Sequence, residues 1–158
     1  VDMYAKCGIL TRAKEVLEEL PHRNIVSWSS LIAGYAQEGE GEKTLKCFKE
    51  MEQEGIAPNT ITFRSLLQAC SHSGLVDEGQ MLFTNMNKIY GVIPDLEHHA
   101  CLVDLFGRAG LLEEAEKFVY KMPYRAHDEI WMTLFSASKI HKDIGLAERA
   151  ACGMLCDL

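Results

Sequence analysis

The sequence predicts an all-α fold, a right-handed α-solenoid of helix-turn-helix repeats, and three observations predict it. Between Ile25 and Asn59, Trp28, Leu31, Ile32 and Tyr35 recur at helical spacing, and after the turn at Gly39 so do Thr44, Leu45, Phe48 and Met51. Two helices this short cannot bury both apolar faces as an isolated pair, so they require neighbours of their own kind. The same pattern then recurs. A turn glycine, a small residue five positions on and two apolar residues further along form the sets Gly8, Ala13, Leu17, Leu20; Gly39, Thr44, Phe48, Met51; Gly74, Gly79, Phe83, Met86; and Gly110, Ala115, Val119, Met122. A fifth set, Lys142, Ala147, Ala151, Met154, lacks the glycine, and successive sets are offset by 31, 35, 36 and 32 residues. A period of this size marks a helical repeat array. The third observation is punctuation: Pro21, Pro58, Pro94 and Pro123 each fall shortly after a second helix, where proline stops a helix at least cost.

Taken in order, the helices are expected over 1–7 and 10–19, 27–38 and 42–54, 61–72 and 76–89, 97–108 and 112–121, and 129–140 and 144–156. Two further columns obey the same offsets. Trp28, Phe63, His99 and Trp131 form one, and Tyr4, Tyr35, Cys70 and Phe106 the other. The first column falls between the two helices of each unit, so its aromatic residues are expected in the core. Asp77-Glu78 and Glu113-Glu114 occupy first turns of second helices, the end of a helix that favours negative charge. Glu40, Glu42, Glu50, Glu52 and Glu54, interleaved with Lys43, Lys46 and Lys49, read as a solvated outer face.

Composition narrows the function. Apolar residues make up 47% and charged residues 25% of 158, a globular balance. No apolar run approaches the roughly 20 residues that cross a bilayer. The net charge of −7 weighs against nucleic-acid binding, which draws most of its affinity from Lys and Arg on phosphates. Cys7, Cys47, Cys70, Cys101, Cys152 and Cys156 form no C-x-x-C pair, so neither a disulfide framework nor a zinc site is expected, and the thiols read as reduced and mostly buried. His98, His99 and Cys101 come nearest to a metal cluster. Yet His99 falls in the Trp28 column and Cys101 in the Ser30/Ser65/Thr133 column, which point different ways. No H-E-x-x-H, G-x-S-x-G or P-loop occurs, so no catalysis is expected of these residues. The chain opens at Val1 without a basic leader and reads as an excerpt from a longer array.

The stretches VDMYAKCG (1–8), VSWSSLIAGYAQEG (26–39), QACSHSGLVDEG (68–79), HHACLVDLFGRAGLLEEA (98–115) and MPYRAHDEIW (122–131) closely resemble pentatricopeptide repeat proteins. The resemblance is to the plant subclass in which standard, long and short repeats alternate, and it covers essentially the whole chain. It implies the end of a short repeat over 1–24, a standard repeat over 25–59, a long repeat over 60–95, a final short repeat over 96–127 and an extension-like hairpin over 128–158. The family reads single-stranded RNA one base per repeat. One reading side chain lies in the first turn of the first helix, and the other closes the repeat. That implies Ser29 and Asn59 as a base-reading pair for adenine, with Val26 as an apolar wedge against the base. The matching positions Arg64 with Asp95, and Ala100 with His127, are unorthodox pairs with weaker RNA contacts, and Asn24 closes the first repeat. The resemblance further implies a specificity segment of an organellar C-to-U RNA-editing factor, in mitochondrion or chloroplast. Small accessory editing proteins would dock at the long repeat, and a deaminase domain would act in cis or in trans beyond Leu158. No cofactor, metal or membrane partner is implied.

Plainer readings stand beside these. Ser29 and Asn59 also suit a helix cap and a turn, and Arg64 suits a surface ion pair with Asp95. An RNA stabilisation or processing factor without editing is the nearest alternative. A tetratricopeptide-type protein scaffold, the rival from another class, keeps a steady step of about 34 residues. Nanomolar binding needs about 12 kcal/mol, whereas a good base contact contributes roughly 1–3 kcal/mol. One orthodox repeat in an acidic context therefore binds RNA weakly by itself.

Overall fold

A computed structural model describes residues 1–155 and shows ten α-helices and no strand among them. They are α1 (Asp2–Lys6), α2 (Leu10–Glu19), α3 (Ile25–Gln37), α4 (Gly41–Gln53), α5 (Thr60–Ser73), α6 (Val76–Lys88), α7 (Leu96–Arg108), α8 (Leu112–Tyr120), α9 (Asp128–His141) and α10 (Ile144–Leu155). Cys156 and Leu158 lie outside the described residues. The odd-numbered helices stack in sequence, α1 on α3 on α5 on α7 on α9. Each of α2, α4, α6 and α8 packs against its own first helix and against the first helix of the next hairpin. The result is a two-layered α-solenoid.

Burial follows this stacking. Trp28, Phe63, His99 and Trp131, one from each first helix of α3, α5, α7 and α9, are all buried, and Leu31, Ile32, Leu66, Leu67 and Met86 are sealed from solvent. Aromatic side chains join one hairpin to the next. Phe63 meets Phe48 and Tyr90 at ring separations of 5.9 and 5.2 Å, and His99 lies among Phe83, Phe118 and Tyr124 at 5.0–5.5 Å. Each first helix is thus buried on two sides, which supplies the stability that helix propensity cannot. Where one column carries an unusually large residue, another gives way. Leu105 stands in the column of Gly34, Ala69 and Ala137, and it fills the space that a Cβ at Gly79 would need, only 2.3 Å away.

The helices begin earlier than periodicity alone predicts. Helices α3 and α5 start at Ile25 and Thr60, two residues and one residue ahead of expectation, because Asn24 and Asn59 cap them. The outer face is less purely solvated than expected: Glu54 accepts the Trp28 indole N–H at 3.0 Å and pairs with Arg23, and Glu52 pairs with the Tyr90 hydroxyl. The thiols also need correction. Cys47 and Cys70 are buried and Cys101 is half-buried, but Cys7 and Cys152 are exposed. Burial pushes the Cys47 and Cys101 thiols up to about 11 and that of Cys70 to about 12, which keeps them protonated and unreactive at neutral pH.

The interhelix turns at Gly39, Gly74 and Gly110 use left-handed backbone with φ of 67–75°. The fifth turn places Lys142 there, at φ 59°. A side chain in this conformation costs roughly 1–2 kcal/mol, partly offset by the greater unfolded-state freedom of glycine. Lys142→Gly is therefore expected to stabilise the last hairpin by about 0.5–1 kcal/mol, read as a higher urea midpoint.

Candidate nucleic-acid interface

The junctions between successive first helices are built alike. Asn24, Asn59 and Asp95 cap α3, α5 and α7, each accepting the backbone N–H of the third helical residue, while that residue's side chain reaches back to the cap's own N–H. The partners are Ser27, Thr62 and His98. The second helices have no side-chain cap of this kind at Ile9, Glu40, Leu75 or Leu111. Replacing such a cap by alanine costs about 1 kcal/mol, so these residues hold structure whatever else they do.

At the α3–α5 junction the cap does more. The Ser29 hydroxyl lies 2.9 Å from the Thr62 hydroxyl, and the Thr62 hydroxyl donates to Asn59 Oδ1 at 3.0 Å. Ser29 and Asn59, 30 positions apart in sequence, therefore converge on one threonine. The network also orients them. Asn59 Oδ1 accepts from both the Thr62 N–H and hydroxyl, which turns the amide nitrogen away as a double donor. With the Thr62 proton committed to Asn59, the Ser29 hydroxyl donates to Thr62 and keeps its lone pairs as acceptors. One acceptor and one donor thus stand together within the junction, Ser29 buried at 8% exposure and Asn59 half-buried. Val26 and Ile61, in the first turns of α3 and α5, are 68% and 51% exposed despite their apolar side chains.

The remaining positions are arranged differently. Arg64 forms an ion pair with Glu97 of the next helix, not with Asp95 as expected, because Asp95 is engaged as the cap of α7 and bound to His98. Ala100 is half-buried, and His127 is exposed at the start of α9 with no side-chain cap bond. Asn24 is exposed as the α3 cap. A depression of about 610 Å³ lies around Leu96, Arg125, His127 and Asp128, and Ser29 does not line it. Thr62 and Ile61 were not named from sequence. The capping-box spacing Asn59-x-x-Thr62 and the 35-residue offset of Ile61 from Val26 were the signals that could have found them.

Charge divides between the layers. The first helices carry Asp2, Glu97, Asp104, Asp128 and Glu129 against Lys6, Arg64, Arg108 and Lys139, close to balance. The second helices carry twelve acidic residues against eight basic ones, so much of the net negative charge sits in the layer remote from Ser29 and Asn59. His98 and His99 do not join Cys101 around an ion. His98 is buried, bridging Asp95 and the Thr60 carbonyl, and His99 is buried among aromatic rings with its Nδ1 donating to the Asp95 carbonyl at 2.7 Å. Among the described residues no group of three His, Cys, Asp or Glu side chains is spaced to hold a metal, and no helix is long and apolar enough to cross a membrane.

Stacked helical hairpins with capping residues repeated at the junctions of one layer define a helical repeat solenoid. Residues 23–72 match the model of the PPR repeat family, and residues 61–89 and 100–125 match that of the PPR repeat. The chain belongs to the pentatricopeptide repeat family. It is 46% identical over 148 residues to the pentatricopeptide repeat-containing protein At5g66520 of Arabidopsis thaliana, covering 94% of this chain and 24% of that relative. It is 48% identical over 155 residues to the mitochondrial pentatricopeptide repeat-containing protein At3g53360 of the same plant, covering 98% of this chain and 20% of the relative. The chain thus spans about a quarter or less of the length of these two relatives. Its fold is that of the pentatricopeptide repeat protein PPR10, solved in complex with an 18-nt psaJ RNA element, at a TM-score of 0.82 and 19% identity, over 94% of this chain and 23% of that one. The PPR domain of Arabidopsis thaliana protein-only RNase P 1, in complex with tRNA, superposes at a TM-score of 0.74 with 17% identity, over 95% of this chain and 82% of that one.

Burial lowers the affinity of His99 for a proton, so the folded chain holds it neutral. For Asp95, burial pushes the carboxyl up, but the bonds from His98 outweigh it and hold the group below its ordinary value. The two effects have the same sign. Below the ordinary histidine pKa of about 6.5 the unfolded state takes up the proton that folded His99 refuses, and stability falls with pH. Nearer the carboxylate range Asp95 adds a second loss. His99→Phe, which places in α7 the residue found at Phe63, is expected to flatten the fall in unfolding midpoint between about pH 7 and pH 5, measured by circular dichroism in urea.

Proposed function

We propose that this chain is an RNA-reading stretch of an organellar RNA-editing factor, which helps to position a cytidine for deamination. The observation that carries the reading is the convergence of Ser29 and Asn59 on Thr62, which pairs an acceptor with a donor in the repeat whose first turn exposes Val26. An adenine presented edge-on there would give its exocyclic amine to Ser29 and take a hydrogen bond from Asn59 at N1, with its face against Val26. Ile61, at the same position of the next repeat, would form the opposite wall. The first-helix layer, close to charge balance, opposes the approach of RNA less than the net charge of −7 implies. The RNA-bound state of PPR10 supports the same class of ligand.

Editing, as distinct from RNA binding at large, rests on the alternating repeat lengths and on the extension-like motif over 128–158. The repeat boundaries at 24, 59, 95 and 127 belong to this proposal, as do accessory editing proteins docking on 60–95 and a deaminase acting in cis or in trans. An organellar site of action is supported by relatives whose names describe them as mitochondrial. These residues bind and select; no chemistry is assigned to them.

Asn59→Asp tests the base reading without removing the cap, since aspartate caps as well as asparagine. It replaces a donor by an acceptor. In an array containing these residues, the expected outcome is a loss of adenine preference of about tenfold, within the 1–3 kcal/mol of a base contact, with little change in melting temperature. Ser29→Ala is expected to weaken RNA binding selectively, and a protein scaffold would show neither effect. Transcript sequencing of a loss-of-function line tests the editing role: a lost C-to-U conversion at one or a few organellar sites is expected, and unchanged editing at every site refutes it.

A further inference from the structure

The geometry points to a single base slot in this stretch, between Val26 and Ile61, closed on its far side by the Arg64–Glu97 ion pair, so that the neighbouring nucleotide passes unread. The inference rests on the RNA-reading proposal and deepens it. Four residues occupy the wall column, each in the first turn of a first helix: Val26, Ile61, Glu97 and Glu129. The wall is apolar at the first two and acidic at the last two. Of the three gaps that these four residues bound, that between α3 and α5 alone therefore has an exposed apolar side chain on both sides.

The next gap is already occupied. Arg64 stands in the column of Ser29, and its guanidinium reaches across to Glu97, the residue that should wall the gap. The pair spans a cavity of only about 130 Å³, lined by Thr60, Ile61, Arg64, Asp95, Glu97 and His98. A base entering there has to part the guanidinium from its carboxylate. It then meets two acidic side chains, Asp95 and Glu97, where the first slot offers a neutral Asn59 and an apolar wall. The ion pair is exposed and modest in itself. What excludes the base is the sum: no second apolar face on which to stack, and a carboxylate that must give up both its water and its partner. The cap at Asp95 cannot swing clear either, because His98 ties it to the Thr60 carbonyl.

Glu97 is therefore a specificity-determining residue, acting by exclusion. The test is an NMR titration of this chain with short single-stranded RNAs carrying one fixed adenine and each of the four bases on either side of it. The wild-type chain is expected to prefer the fixed adenine, with less than about twofold discrimination among its neighbours. Glu97→Val, which restores the residue found at Val26, is expected to tighten binding about fivefold and to create a preference at one neighbouring position. Glu97→Gln, which breaks the ion pair without adding an apolar wall, should fall between the two and answers the same question if the valine variant melts early. Glu113→Gln, on the outer helix α8, is the control for simple loss of negative charge and should change binding by less than about twofold. Two outcomes overturn the inference while leaving the RNA reading intact: fivefold or greater discrimination at a neighbouring position by the wild-type chain, or adenine preference retained with both Glu97 variants binding like wild type. Absence of any adenine preference overturns the RNA reading and this inference with it.

Discussion

Everything in this molecule depends on each first helix being packed between two others. A hairpin of about a dozen residues per helix is too short to hold itself together in water, and its apolar stripe is wider than one partner can cover. Stacking solves both problems at once. Phe63 is buried against Phe48 on the preceding hairpin and Tyr90 at the end of its own. Such contacts extend only to nearest neighbours, so stability accumulates along the array instead of around a single centre. They also force successive first helices into register, and that register aligns the residues at their N-termini.

On the RNA-reading proposal, the N-terminal residues of the first helices serve two ends. Asn59 satisfies orphan backbone donors of α5, and the same hydrogen bonds turn its amide nitrogen outward. A side chain that caps a helix has given up its rotational freedom to the fold, so it meets a ligand already oriented. Thr62 extends this order across the junction to Ser29 on the preceding helix. Under that proposal cap and recognition group are one residue, so the plainer reading of Asn59 as a cap is compatible with the functional one. At the following junction the same architecture holds Asp95, His98, Arg64 and Glu97 in a charged cluster. An identical scaffold there favours a closed surface over an open slot.

The periodic residues were legible because helix and repeat impose their spacings on the sequence directly. Gly39, Gly74 and Gly110 mark left-handed turns that few other residues tolerate, and Trp28, Phe63, His99 and Trp131 keep step with them. Even His99, which looks like a ligand beside His98, is placed in the core by its column. The charged partners were not legible in the same way. Asp95 and Glu97 stand 31 and 33 positions beyond Arg64, and nothing in their order says which of them Arg64 meets once the helices stack. The exposed thiols were missed for a related reason, since periodicity tells which side of a helix faces inward but not whether another helix arrives to cover it.

By itself, the sequence determined the helices, their turns, the inward-facing columns and the membership of a repeat family, because each of these is a local preference repeated at a measurable interval. The tertiary structure alone decided which polar groups meet across a junction. Ser29 reaches Thr62, and Arg64 reaches Glu97, through the stacking of helices more than 30 residues apart. A hydrogen bond or an ion pair is set by distance in space, and that distance exists only once the hairpins have packed.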